Sequence, residues 1–82
     1  TGDSMIEAGI LNGDYVIVQP NVTIERGDIA VVLIGEEATI KRVYANGDTV
    51  VLRPENRDMR EVRYNASEVT IIGKVVGVVR KL

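Results

Sequence analysis

The sequence of 82 residues contains neither cysteine nor histidine. Without cysteine there is no disulfide, no thiolate metal site and no cysteine nucleophile, which is compatible with a cytoplasmic protein. Without histidine, a Ser-His-Asp triad, a Cys-His pair and a histidine-ligated metal site are excluded as well. We expect no cofactor, and any nucleophilic catalysis falls to serine, threonine or lysine.

Aromatic residues are also scarce, with no Phe, no Trp and three Tyr, whereas Val and Ile are abundant. Because β-branched residues favour strands, we expect a mainly β protein with an aliphatic core. Its length fits one small domain.

Charge and hydropathy give no sign of a nucleic-acid or membrane module. Ten basic and twelve acidic residues leave a net charge of −2, and no basic stretch with interleaved aromatics is visible. The longest apolar run, residues 69–79, is interrupted by Lys74 and is shorter than the roughly 20 residues of a membrane-spanning helix. No signal peptide is visible, and no membrane association is expected.

Four Gly-Asp pairs divide the chain, and the last three each precede a β-branched run. Glycine permits positive φ and Asp stabilises its own turn, so these pairs indicate turns that lead into strands. The predicted strands cover residues 15–18, 29–34, 38–44, 49–52 and 69–79, with a weaker extended piece at 61–64.

Two hairpins follow from the turn residues. A tight turn at residues 35–37 joins the second and third strands, and Asn46-Gly47 lies between the third and fourth. Asn-Gly is a strong signal for a two-residue turn, which would place Ala45 opposite Asp48 and Lys41 opposite Leu52.

Only residues 4–11 resemble a helical turn. Ser4 and Glu7 have the spacing of a capping box, and Asn12-Gly13 would end the turn. The expected fold is therefore mainly β, with small twisted antiparallel sheets or a partly open barrel and one short helical turn.

Two residues are candidates for serine chemistry. Ser4 stands at the start of the helical turn, where free backbone N–H groups are able to form an oxyanion hole. Lys41 lies in a predicted strand on one face with Thr39 and Val43, where burial would lower its pKa and make it a base. A serine here is also suited to capping a helix, and a strand lysine to an edge or a snorkelling position. These residues alone favour the structural roles and do not predict an enzyme.

The other serine and lysines are weaker candidates. Ser67 lies in a polar loop, and Lys81 is close to the end of the sequence and expected to be solvated. Lys74 is surrounded by apolar residues, but the adjacent Gly73 indicates a bulge or an edge strand.

Four separate blocks, in order, resemble LexA-type self-cleaving repressors. The blocks are residues 2–5 followed by 9–16, residues 38–43, residues 52–56 and residues 72–80. The 37 positions between Ser4 and Lys41 also agree with that family. The resemblance implies a fold of the LexA and signal-peptidase type.

By this resemblance, Ser4 is the nucleophile, Lys41 is the neutral general base, and the backbone N–H groups of Asp3 and Ser4 form the oxyanion hole. Members of the family cut an Ala-Gly bond in their own linker when stimulated by a recombinase filament on single-stranded DNA. Cleavage separates a winged helix-turn-helix domain, which binds operator DNA, from the peptidase domain and derepresses the DNA-damage (SOS) response. The C-terminal strand contributes to a homodimer.

The sequence starts at Thr1 and lacks the regions before the nucleophile, so residues 1–82 are expected to form one partial peptidase and dimerisation domain. The DNA-binding domain and the cleavage linker are not included. The one Ala-Gly pair, Ala8-Gly9, is expected to end the helical turn rather than to be the bond that is cut.

Alternative functions come from different classes. The piece could be a non-catalytic dimerisation module of a phage-type repressor, with residues 69–79 pairing edge to edge with a second copy. Accessory subunits of error-prone polymerases share the same domain. Type I signal peptidases share the Ser-Met motif and the Lys-Arg pair, but residues 54–56 favour the repressors.

Overall fold

The computed structural model describes residues 3–82, which form one antiparallel sheet of six strands with two short 3₁₀ turns. The strands are β1 (Tyr15–Gln19), β2 (Ile29–Ile34), β3 (Glu37–Asn46), β4 (Thr49–Arg53), β5 (Val62–Asn65) and β6 (Val69–Val79). Their order across the sheet is β1-β6-β2-β3-β4-β5. The expectation of a mainly β fold is confirmed, although the first Gly-Asp pair includes Gly2, which lies outside the described residues.

Both predicted hairpins form, but the register of the second was predicted wrongly. Asn46 pairs with Thr49 and closes the hairpin, so that Gly47 and Asp48 form the two-residue turn. Gly47 has a φ of +59°, and a glycine with positive φ at the first central position is typical of a type II′ turn. Leu52 therefore lies opposite Val43 instead of Lys41. The shift is two residues, so each side chain keeps the face that alternation assigned to it.

The helical segment is shorter than expected. A 3₁₀ turn covers Ile6–Ala8 and ends at Gly9, whose φ of +83° suits a helix C-terminus. Ala8-Gly9 is thus the end of this turn, as predicted, whereas Asn12-Gly13 forms a separate turn. The second 3₁₀ turn, Ala66–Glu68, has a capping box formed by Asn65 and Glu68, which the sequence analysis did not identify.

Strand β6 lies inside the sheet and pairs with a different neighbour along each half. Residues 69–74 pair with β2 and residues 74–79 pair with β1. The register shifts once against each neighbour, so Ile72 and Val76 occupy β-bulges. The bulge beside Gly73 was predicted, but the alternative of an edge position for Lys74 is wrong. Lys74 instead forms an ion pair of 3.4 Å with Asp28.

The core is aliphatic, as the composition predicts, and it lies on one face of the sheet. The buried members of its main cluster are Ala30, Val32, Val43, Val50 and Leu52. Partly buried residues that pack against them are Ile24, Ile34, Tyr64 and Val69. Within residues 3–82, no helix is long and apolar enough to cross a membrane.

The opposite face of β3 and β4 gathers arginines that are distant in the sequence. The guanidinium groups of Arg26 and Arg53 lie 5.4 and 5.6 Å from the centre of the Tyr44 ring, within the range of cation–π contacts. Arg53 also lies directly opposite Arg42 in the β3–β4 ladder. The fold therefore produces a local concentration of positive charge that the sequence does not display.

Candidate active site

Ser4 and Lys41 are brought together by the fold. Ser4 precedes the first 3₁₀ turn and is 4% exposed, the one buried polar side chain among the described residues. Its hydroxyl makes no capping contact, because the cap position of that turn is occupied by Met5. The Oγ atom instead lies 2.9 Å from Nζ of Lys41. The capping-box reading of Ser4 and Glu7 is therefore wrong.

Lys41 projects from β3 on the same face as Thr39, as strand alternation predicts. Its Nζ atom lies 2.8 Å from Oγ1 of Thr39 and 3.2 Å from the carbonyl oxygen of Ile40. Together with Ser4 Oγ, these groups surround the amine with three oxygen atoms. Three contacts of this kind hold a flexible side chain in one orientation.

Burial lowers the pKa of Lys41 below its ordinary value of 10.5. The cause is desolvation, because a partly buried amine is separated from the water that stabilises its charged form. The exposed carboxylate of Glu37 acts in the opposite direction, and burial is the larger of the two effects. Lys41 therefore loses its proton at a lower pH than a lysine side chain in water does.

The arrangement accommodates both protonation states of Lys41. A protonated amine donates a hydrogen bond to each of its three oxygen neighbours. A neutral amine keeps two donors, which suit Thr39 Oγ1 and the Ile40 carbonyl, and its lone pair then accepts a hydrogen bond from the Ser4 hydroxyl. Deprotonation thus converts Lys41 into an acceptor for the Ser4 proton without a change of position.

A cleft of about 270 Å³ opens beside Ser4. Residues 10–14 form one wall and residues 38–40 of β3 form the other. Along this part of β3, the edge that faces β4 has no strand partner within residues 3–82, because β4 pairs only from Arg42 onwards. The cleft therefore presents a strand edge next to a buried serine.

The loop that carries Ser4 is bound by residues 54–57, of which 54–56 belong to a block that resembles the LexA-type repressors. The side-chain amide of Asn56 donates to the carbonyl of Asp3 at 2.8 Å, and the N–H of Glu7 donates to the carbonyl of Glu55 at 2.7 Å. The carboxylate of Glu7 accepts hydrogen bonds from Arg57 at 2.9 and 3.1 Å. A Pro-Glu-Asn sequence directly after a strand was the available signal, but nothing in it identified Asp3 and Glu7 as its partners.

The same segment is joined to the strand that carries Lys41. Arg42 points to the opposite face from Lys41, as predicted, and forms an ion pair with the carboxylate of Glu55. A second Arg42 nitrogen donates to the carbonyl of Gly27 at 2.7 Å. The loop with the nucleophile and the strand with the amine are thus connected through Glu55.

The far wall of the cleft is tied to the end of β6. Arg80 donates two hydrogen bonds to the carboxylate of Asp14, at 2.8 and 2.7 Å, and a third to the carbonyl of Gly9 at 2.8 Å. Asp14 also accepts from the N–H of Leu11 at 2.7 Å. The Arg80 bonds and the Leu11 N–H lower the pKa of Asp14 from 3.8 to about 2.

The remaining candidates lie away from this site. Ser67 is exposed in the second 3₁₀ turn, Lys74 faces Asp28, and Lys81 is exposed. Among residues 3–82, no group of three or more acidic side chains is arranged to hold a metal ion. Met5, which follows the candidate nucleophile, is 2% exposed and packs in the interior.

Comparison with known proteins shows the family of the chain. A family model described as Peptidase S24-like matches residues 1–76. The chain is 53% identical over 81 residues to a LexA repressor of Pelotomaculum thermopropionicum, covering 99% of this chain and 39% of that protein. It is 49% identical to a LexA repressor of Thermotoga petrophila and 51% identical to one of Geotalea uraniireducens, with 99% of this chain and 41% of each relative covered. The chain thus spans about two fifths of the length of the curated relatives that it matches, and it belongs to the Peptidase S24-like family.

Proposed function

We propose that these residues carry the peptidase site and the dimerisation surface of a LexA-type repressor that cleaves itself in the DNA-damage (SOS) response. The observation that carries the proposal is the 2.9 Å contact between Ser4 Oγ and Lys41 Nζ, made by a buried serine and a lysine whose pKa is lowered by burial. Nucleophile and base within hydrogen-bond reach are what serine–lysine catalysis requires. The similarity to LexA repressors supports the same reading.

In the proposed reaction, Ser4 Oγ attacks the carbonyl carbon of the peptide bond, and its proton passes to the neutral amine of Lys41. The electron pair of the carbonyl moves to its oxygen, which the N–H groups of Asp3 and Ser4 stabilise. Collapse breaks the C–N bond, and the proton on Nζ passes to the leaving nitrogen. Water then attacks the acyl-serine ester and gives a proton to Nζ. Collapse of this second intermediate breaks the bond between the carbonyl carbon and Ser4 Oγ, Nζ returns the proton to Oγ, and the new carboxyl terminus is released.

The substrate is an extended segment that lies along the free edge of β3. Main-chain hydrogen bonds to residues 38–40 would hold it in the cleft and bring one carbonyl to Ser4. Within residues 3–82 the one Ala-Gly pair ends a 3₁₀ turn, where Gly9 already donates to the carbonyl of Ile6. The bond that is cut therefore belongs to a segment outside the described residues, such as the linker of a longer repressor.

The proposal extends to the partners of the whole repressor. Operator DNA would be bound by a separate N-terminal domain, and a recombinase filament on single-stranded DNA would stimulate cleavage. A homodimer would form through β6. Its residues 75–79 have no partner on the edge that faces β2, within the part of the chain that the structure describes.

The test is self-cleavage of a full-length repressor that contains these residues, measured as the first-order rate between pH 6 and 10. We expect the rate to rise with pH and to level off below the ordinary lysine pKa of 10.5, because burial lowers the pKa of Lys41. Ser4→Ala and Lys41→Ala should each reduce cleavage below detection.

Lys81→Ala is the matched control, since this lysine is exposed and the amine in contact with Ser4 Oγ is that of Lys41. It should leave both the rate and its pH dependence unchanged. Undiminished cleavage in Lys41→Ala would remove the amine from the mechanism.

A further inference from the structure

Asn56 lies next to the candidate oxyanion site but touches neither Ser4 Oγ nor Lys41. Its Nδ2 atom donates to the carbonyl oxygen of Asp3 at 2.8 Å. Its Oδ1 atom accepts from the N–H of Asp58 at 2.9 Å, which fixes the orientation of the amide. Both ends of this side chain are therefore engaged, and its donor end faces the nucleophile loop.

The atom that Asn56 contacts belongs to the same peptide group as the N–H of Ser4. A trans peptide group is planar, and its carbonyl oxygen and amide hydrogen point in opposite directions. A hydrogen bond that fixes the Asp3 carbonyl therefore also fixes the direction of the Ser4 N–H. It polarises the group as well, because hydrogen bonds in series strengthen one another.

The segment that contains Asn56 is also attached to β3, the strand that carries the base. The preceding residue, Glu55, accepts from the N–H of Glu7 and pairs with Arg42, the neighbour of Lys41 in β3. Glu55 and Asn56 thus hold the nucleophile loop at its two ends, Asp3 and Glu7. The direction of the Ser4 N–H is set relative to the same strand that sets the position of Lys41.

We propose that Asn56 is a positioning residue of the oxyanion site, which orients and polarises the Ser4 N–H through the Asp3 carbonyl. This inference rests on the proposed peptidase function and names a residue that acts through the backbone. Its contribution is expected in the step that forms negative charge on the carbonyl oxygen, because a backbone donor is most effective when it is already aligned with that charge.

Covalent labelling of Ser4 by a fluorophosphonate ester tests the formation of negative charge at the oxyanion position, and it does so with this chain alone. Ser4 Oγ forms a bond to phosphorus, fluoride leaves, the serine proton passes to Lys41, and the phosphoryl oxygen occupies the oxyanion position. The second-order labelling rate is measured by intact mass between pH 6 and 10, and peptide mapping locates the label. Asn56→Ala should slow labelling about tenfold or more. The effect should be smaller than that of removing an entire oxyanion-hole donor, because the Ser4 N–H remains and only its alignment is lost.

Two further readouts separate positioning from a general loss of structure. The pH at which the labelling rate turns should stay the same in Asn56→Ala, because Asn56 does not contact Lys41. A loosened site would hydrate the amine and move that pH upwards. Arg57→Gln is the matched control. It removes the exposed side-chain contact of the same segment to Glu7, leaves the backbone N–H of Arg57 in contact with Glu7, and should label at the rate of the unsubstituted chain.

If Asn56→Ala does not fold, Asn56→Asp keeps the volume and the Oδ1 acceptor but opposes a carboxylate oxygen to the Asp3 carbonyl, and its labelling should be slowed at least as much. Labelling that depends on Lys41 but proceeds at an unchanged rate in Asn56→Ala or Asn56→Asp overturns this inference and leaves the proposed function intact. Absence of labelling in the original chain overturns both. Slower labelling with a displaced pH profile assigns Asn56 a structural role and also overturns the inference.

Discussion

At the scale of single residues, the environment of Lys41 favours chemistry at the expense of stability. Burial disfavours the charged amine, and the folded chain must either accept that cost or release a proton. Surrounding Nζ with the oxygen atoms of Ser4, Thr39 and Ile40 reduces the cost without removing it. Such a trade-off between stability and activity is common at catalytic groups.

This leads to a prediction about pH and stability. The pKa of Lys41 is lower in the folded chain than the ordinary 10.5 of the unfolded chain. Between these values the unfolded chain binds more protons, so the free energy of unfolding rises with pH. Relative to Lys41→Met, the original chain should therefore become more stable from neutral pH towards pH 10, as measured by urea denaturation. A difference that stays constant over this range would contradict a lowered pKa.

The predictability of the site also differs from residue to residue. Strand alternation predicts that Lys41 shares a face with Thr39, and the absence of histidine and cysteine left serine, threonine and lysine as candidates. The resemblance to LexA-type repressors then selected Ser4 and Lys41. The roles of Glu55 and Asn56 could not be predicted, because their partners in the nucleophile loop, Glu7 and Asp3, lie about 50 positions away in the sequence. Contacts of that kind depend on how the loops meet and have no local signal.

At the scale of secondary-structure elements, β6 depends on two glycines where β1 crosses it. A Cβ atom at Gly73 would lie 2.5 Å from Cγ1 of Val18 and 2.8 Å from the carbonyl oxygen of Gln19. At Gly77 the nearest atom would be Cδ1 of Ile17, the end of a flexible side chain, at 3.2 Å. Only the first position thus brings the added atom against backbone.

We accordingly expect Gly73→Ala to lower the free energy of unfolding by about 1–3 kcal/mol, the usual effect of overpacking. Gly77→Ala is the matched control in the same strand and should cost distinctly less, because the tip of Ile17 is able to move. Chemical denaturation of the three chains measures both values. Equal losses would indicate that β1 does not approach Gly73 as closely as the structure has it.

The elements themselves were well predicted, and their register less so. Clusters of Val and Ile between Gly-Asp pairs marked five strands, since turn residues and β-branched residues separate clearly in this chain. Asn46-Gly47 located the hairpin, but the sequence allowed either Asn-Gly or Gly-Asp as the central pair of the turn. The structure uses Gly47-Asp48, which moves Lys41 two places from its expected partner and leaves it beyond the end of the β3–β4 ladder.

At the scale of the whole molecule, the pair of Asp14 and Arg80 connects the end of β6 to the cleft wall. The folded-state pKa of Asp14 is about 2, below the ordinary 3.8, so its stabilising contribution is complete above pH 3.8 and declines as pH falls towards 2. The stability advantage of the original chain over Asp14→Asn should shrink across that window. Thermal unfolding between pH 2 and 6 tests this, and Arg80→Gln should largely remove the pH dependence of the advantage.

A homodimer that forms through β6 is also predicted at the scale of the whole molecule. Val76, Val78 and Val79 are between 42 and 52% exposed on the half of β6 that lacks one neighbour within the described residues. Sedimentation should show concentration-dependent association that Val76→Lys weakens. Thr70→Lys adds the same charge to the half of β6 that pairs with β2 and should have less effect. A strict monomer at high concentration would contradict a dimer through this strand.

Because the edge of β3 beside Ser4 is free, hydrogen exchange of its backbone amides can show whether a substrate segment is bound in the cleft. In an antiparallel strand every second residue directs its N–H towards a given edge, so some amides of residues 37–41 are open to water until a substrate strand covers them. In a repressor carrying Ser4→Ala, which docks a segment without cutting it, deuterium uptake at these amides should slow as the segment enters the cleft. Docking and cleavage would then be measured separately, one by isotope exchange and the other by the appearance of fragments.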